Sequence, residues 1–87
     1  MKDIVISVEP GFFSQYDGLP KDIKKKFIKQ IGFLQSNPMH KSLQIHQIEG
    51  TDFREFYVDR GYRCIFKRED NIYKLYFVGT HKLIDRI

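Results

Sequence analysis

The order of patterns along this 87-residue chain predicts an α+β domain running strand, helix, helix, strand, strand, strand. Four strands would form a small, antiparallel-rich sheet with the two N-terminal helices packed on one face (β-α-α-β-β-β). Three observations predict it. An apolar stripe at helical spacing occupies residues 23–34, three segments rich in aromatic and β-branched residues follow, and short turn sequences separate those segments. A chain of this length buries too little surface to split in two, so residues 1–87 form one domain.

Residues 4–8 alternate weakly and are β-branched, giving a first strand that Glu9-Pro10-Gly11 ends. Pro10 suits the first position of a short helix, with Phe12, Phe13 and Tyr16 on one side and Asp17-Gly18 as its stop. After Leu19-Pro20, the residues Ile23, Phe27, Ile31 and Leu34 recur at helical spacing, Ile28 widens the stripe, and Lys21, Lys24, Lys25, Lys26 and Lys29 take the other sides. Ser36-Asn37-Pro38 ends this helix, because the residue before proline is pushed out of helical geometry. Residues 39–50 show no sustained period and read as a connection, with room for a short extended piece around Leu43 to Ile48. Phe53 to Asp59, Tyr62 to Lys67 and Ile72 to Val78 then form an antiparallel meander across the turns Asp59-Arg60-Gly61 and Glu69-Asp70-Asn71. The closing HKLIDRI reads either as one turn of helix or as a tail. On the last strand Tyr73, Leu75 and Phe77 share one face and Tyr76 and Val78 the other, so both faces are partly apolar. Since a sheet covered on one side normally shows a polar second face, the excess predicts a groove that something else covers.

Hydrophobic residues at 41% and charged residues at 30%, with 8 Phe and 5 Tyr, supply a compact core and exclude a disordered chain. The single cysteine, Cys64, allows no internal disulfide and no cysteine-based zinc site, which fits a reducing compartment. The apolar run Ile4-Val5-Ile6 is far shorter than a signal or spanning segment, so a cytoplasmic protein with no membrane partner is expected. A formal charge of +4 favours anionic partners, and both nucleic acid and an acidic protein are allowed.

Two residues near the end could carry chemistry. Period two puts Arg63 with Ile65, opposite Tyr62, Cys64 and Phe66, while His81 shares parity with Leu75, Phe77 and Gly79. Cutting RNA with its own 2′-hydroxyl needs a base, a cation over the crowded phosphate, and an acid for the departing 5′-oxygen. Histidine suits the first or third role and arginine the second. The alternative is structural: Arg63 pairs with Glu55 or Asp59 across the hairpin, and His81 caps a turn. His46 and His40 flank the connector, where loop histidines are commonly solvated, and no second ligand at metal spacing accompanies them. Tyr57 could donate a hydrogen bond or stack on a base, or pack half-buried. Arg54 could meet phosphate or make a cross-strand ion pair. Asp22 is the only acid between Lys21 and Leu34, an imbalance that favours an anion footprint over a mixed solvated face. With Lys41 and Lys82, the cations Lys24, Lys25, Lys29 and Arg54 make up the expected RNA-binding set. No cofactor and no metal is called for.

The segments LPKDIKKKFIKQIGFLQSNP, HKSLQIHQIEG, FREFYVDRGYRCIF and IYKLYFVGTHKLIDRI, taken in this order, resemble the RelE/ParE superfamily of type II toxin–antitoxin toxins over nearly the whole chain. The combination NPxH, SLxxHxxxG, YRxxF and VGTH is similar above all to YafQ-like and RelE-like messenger-RNA interferases. The resemblance implies a four-stranded sheet with two helices on one face and a concave active face on the other. It implies metal-free cleavage of messenger RNA in the ribosomal A site, giving a cyclic phosphate. Residue by residue, it implies a catalytic set of His46 in the connector, Arg63 on phosphate and His81 as general acid or base. YafQ-like members carry histidine at the position of Tyr57 and aspartate near Gly61, so the implied set is incomplete, and either Tyr57 substitutes or the activity is reduced. A cognate antitoxin with an acidic wrapping segment is the implied partner, and operator DNA is reached only through that complex. The gyrase-inhibiting ParE branch shares the fold without the catalytic residues and is the alternative, as is a decayed toxin that only binds its antitoxin.

Overall fold

The computed structural model describes residues 3–84. Its elements are β1 (Val5–Val8), α1 (Phe12–Asp17), α2 (Lys21–Ser36), a 3-10 turn (Lys41–Leu43), β2 (His46–Gln47), β3 (Arg54–Asp59), β4 (Tyr62–Glu69), β5 (Ile72–Thr80) and α3 (His81–Ile84). The strands form one mixed sheet in the order β1-β5-β4-β3-β2. β1 runs parallel to β5, and the other neighbours are antiparallel.

The sheet therefore has five strands where four were expected. The fifth comes from the connector: after the 3-10 turn Gln44 takes a left-handed backbone (φ 47°), which turns the chain so that His46 and Gln47 pair with Glu55 and Arg54. Gly50 at φ 79° makes the return, where a side chain would strain. Pro10 also falls outside its expected place, since α1 starts at Phe12 with Gly11 as its cap.

Both helices pack on one face, α1 against β5 and α2 against β3. Phe12, Ile23, Phe27 and Leu34 meet Phe56, Val58, Cys64, Phe66, Tyr73, Leu75 and Val78 there. Burial pushes the Cys64 thiol well up, so it stays protonated and packs as a small apolar group. Two helix positions depart from the expected stripe: Phe13 and Ile28 lie exposed, and Gln30 is buried instead. Gln30 Nε2 donates to Tyr57 O (2.7 Å) and Ser42 O (3.1 Å). The β3–β4 register shifts between Tyr57 and Asp59, so a ladder interrupted there finds its donor on α2.

A second irregularity resets the faces of β5. Ile65 pairs with Phe77 and Phe66 with Leu75, leaving Tyr76 as the extra residue of a bulge. Tyr73, Leu75 and Val78 consequently face the helices, and Phe77 joins Ile65 on the other side, which corrects the strict alternation expected for this strand. Of the closing segment, His81–Ile84 form a helical turn and residues 85–87 lie outside the described residues, so His81 begins α3 instead of extending β5. Ile65 and Ile84 are buried yet lie outside the helix-side cluster, and α3 packs on β4 and β5. The terminal turn thus covers part of the open face. Among the described residues no helix is long and apolar enough to cross a membrane.

Candidate active site

The open face carries the odd-numbered residues Glu55 and Tyr57 of β3 and Arg63, Ile65 and Lys67 of β4, with Phe53, just before β3, under Lys67. Tyr57 and Arg63 are direct cross-strand partners, and the guanidinium lies over the phenol ring, 4.7 Å from its centre. Arg63 Nη1 donates to the carbonyls of Asp59 (2.7 Å) and Tyr62 (2.9 Å), with Arg60 at 3.5 Å. These bonds lock the guanidinium onto the β3–β4 turn through one nitrogen. Among the described residues neither carboxylate offered by the hairpin neutralises it. Asp59 accepts from Lys26 Nζ at 2.8 Å, and Glu55 meets His46 Nε2 at 2.8 Å. Both hairpin carboxylates considered as ion-pair partners for Arg63 thus pair with other cations.

The Lys26 hydrogen bond holds the Asp59 carboxyl below its usual range, and Asp59 in turn raises Lys26. This pair ties α2 to the turn that carries Arg63.

His46, on the edge strand β2, stands opposite the buried Glu55. Its Nδ1 lies 3.1 Å from Gln44 O and its Nε2 faces the carboxylate. Both partners are acceptors, so both hydrogen bonds form together when the ring carries both protons. His81 is exposed at the start of α3, its backbone N–H donating to Gly61 O at 2.9 Å. A hollow of about 420 Å³ is lined by His46, Gln47, Ile48, Glu49, Glu55, His81 and Ile84. The two imidazoles thus share one concavity, while Arg63 lies outside its lining. Arg63 sits opposite Gly79 on β5, two residues before His81.

The expected cations divide. Lys82 follows His81 on α3. Lys24, Lys25 and Lys29 lie on α2, Lys24 over the Tyr16 ring, on the opposite side of the sheet. Lys41 and Arg54 line a larger cleft of about 870 Å³ on that same side, floored by Phe66 and Tyr73. His40, expected to be solvated, is half-buried: its ring stacks on Phe33 and its Nδ1 accepts from Ser42 N–H. Glu55 is the site residue that sequence reasoning placed only as a partner for Arg63. The available signal was an acid at mid-strand on a face otherwise occupied by Phe53 and Tyr57. Among the described residues no three His, Cys, Asp or Glu side chains gather as a metal-holding group.

No family model and no curated protein sequence matches the chain. Solved structures do match. YafQ from E. coli strain BL21(DE3) aligns at a TM-score of 0.74 and 20% identity, covering 93% of this chain and 97% of that one. The E. coli DinJ–YafQ toxin–antitoxin complex gives 0.79 and 18%, covering 95% and 98%. The RelB–RelE antitoxin–toxin complex from Methanococcus jannaschii gives 0.76 and 20%, covering 92% and 95%. The chain has the fold that the YafQ and RelE toxins share.

Proposed function

We propose that this chain is the toxin of a type II toxin–antitoxin pair and an endoribonuclease that cuts messenger RNA, acting in the cytoplasm on the ribosomal A site. The observation that carries the reading is the state of Arg63: fixed over Tyr57, unpaired with the hairpin carboxylates, and flanked by a hollow holding two imidazoles. The shared fold of toxins solved with their antitoxins supports it.

In the proposed reaction His81 takes the 2′-hydroxyl proton and the 2′-oxygen attacks phosphorus. The guanidinium of Arg63 neutralises the crowded phosphate, and Tyr57 holds that guanidinium in plane. The bond to the 5′-oxygen breaks, and His46, held at Nε2 by Glu55, gives up the Nδ1 contact with Gln44 O and supplies the proton from Nδ1. The products are a 2′,3′-cyclic phosphate and a 5′-hydroxyl. Lys24, Lys25 and Lys29 cannot reach the same strand from the far side of the sheet and are assigned to ribosomal RNA. A cognate antitoxin covers the toxin, and operator DNA is met only through that complex.

Inducing the chain alone should stop growth and shorten transcripts with cyclic-phosphate ends. His81→Ala and Arg63→Ala should each lower cleavage by roughly 10²- to 10⁴-fold with thermal unfolding unchanged. Intact messages with DNA-damage signalling would instead identify a gyrase poison.

A further inference from the structure

On the open face, beyond Ile65, a second group of side chains meets. Phe53 and Tyr76 pack edge to face at 5.2 Å. Lys67 Nζ lies 4.6 Å from the Phe53 ring centre and 5.5 Å from that of Tyr76, with Lys74 Nζ 5.7 Å from Tyr76. All four are partly exposed. We propose that this cluster is a nucleotide subsite: it holds an unpaired base of single-stranded RNA on Tyr76 and Phe53, with Lys67 and Lys74 on the adjoining phosphate. The subsite rests on the ribonuclease reading and names where the RNA flanking the cut linkage runs.

Lys67 and Lys74 are direct cross-strand partners, an arrangement of like charges that costs a sheet stability. Glu9 meets Lys74 at 2.9 Å, and among the described residues no carboxylate pairs with Lys67. The uncompensated cation lies over rings, a contact that a base can take over as the flexible lysine swings to phosphate. The bulge in β5 falls at Tyr76, adding its ring to the face that carries Phe77. The position is also continuous with the site: Arg63 and Lys67 point the same way from one strand, about 13 Å apart at strand rise. Packing of lysine stems on rings explains the contacts but leaves the Lys67 charge without a carboxylate counterpart among the described residues.

The test is fluorescence-anisotropy titration of the full chain with a 2′-O-methyl RNA oligonucleotide, which binds and cannot be cut through its own 2′-hydroxyl. Tyr76→Leu should weaken binding roughly 5- to 150-fold. Lys67→Gln should weaken it alike for all base sequences and lower the salt slope by about 0.7, and Lys67→Arg should restore it. With cleavable RNA, both variants should lose kcat/KM chiefly through a raised KM, whereas the Arg63 and His81 variants lose it through kcat. A wild type that cuts RNA but binds no better than the Lys67→Gln/Tyr76→Leu double variant overturns the subsite and leaves the nuclease standing. A wild type that binds through the subsite and never cuts overturns the nuclease alone. Unchanged RNA affinity with weakened binding of an acidic antitoxin segment assigns the patch to protein and also overturns the proposal. Circular dichroism melts within a few degrees of wild type confirm that each variant is folded.

Discussion

Glu55 keeps only 6% of its surface in water, and its carboxylate has the His46 imidazole 2.8 Å away. A carboxylate taken out of water needs a charged or hydrogen-bonding partner, and His46 answers that need from the edge strand. The pairing fixes the ring's orientation in the way a triad carboxylate does, which the proposed reaction needs of its proton donor. Glu55→Gln preserves the shape and removes the charge. Cleavage by that variant should fall by about 10- to 100-fold while its melting temperature stays near wild type. A single-turnover assay beside a thermal melt checks both halves, and a wild-type rate would remove Glu55 from the mechanism.

At the scale of elements, α2 is tied to the β3–β4 hairpin by two polar contacts that its apolar stripe does not suggest. Gln30 donates to Tyr57 O and Ser42 O from a buried position, so Gln30→Leu leaves two carbonyls without their donor and should cost about 1–3 kcal/mol, read by urea unfolding. Lys26 and Asp59 form the other tie. Because Asp59 is lowered in the folded chain, its contribution is present above the ordinary carboxylate value of about 3.9 and is lost as pH falls through the lower folded value. Lys26, raised, contributes below its ordinary value of about 10.4 and is lost as pH climbs through the folded one. Lys26 is half-exposed and Asp59 keeps partial contact with water, so solvent screening makes the effect small. Melting curves of Lys26→Gln should show a flatter decline on both flanks than wild type, with the two proteins closest at the extremes. The stripe itself was legible because Ile23, Phe27 and Leu34 follow the helical period and face the sheet. Gln30 was not, because its burial depends on a register shift in β3 that no local pattern records. The same holds for β5, where one extra residue at Tyr76 shifted every assignment of face beyond it. Arg63 lay before the bulge and kept its expected face. His81 lay beyond it, and it reaches its place through the turn into α3. β2 was legible only as room for a short extended piece around Leu43 to Ile48, because two residues carry no period, and its position follows from Gln44 and Gly50.

For the whole molecule, the charge of +4 is distributed over two surfaces that the sheet keeps apart. Arg63, Lys67 and Lys74 belong to the open face, and Lys24, Lys25, Lys29 and Lys41 to the helix side. A flexible RNA strand lying along β4 meets only the first group, whereas a wrapped or ribosomal partner meets both. Each phosphate neutralised on a single strand contributes about 0.7 to the slope of log K against log salt, so three open-face cations give a slope of about −2. Engagement of the helix side as well would steepen it to about −5. Titrating a short RNA oligonucleotide into the isolated chain across a range of salt concentrations distinguishes the two. A slope near −2, lost in steps with Arg63→Ala and Lys67→Gln and insensitive to Lys25→Gln and Lys29→Gln, would assign the scissile strand to the open face. It would leave the lysines of α2 for a partner that approaches from the other side.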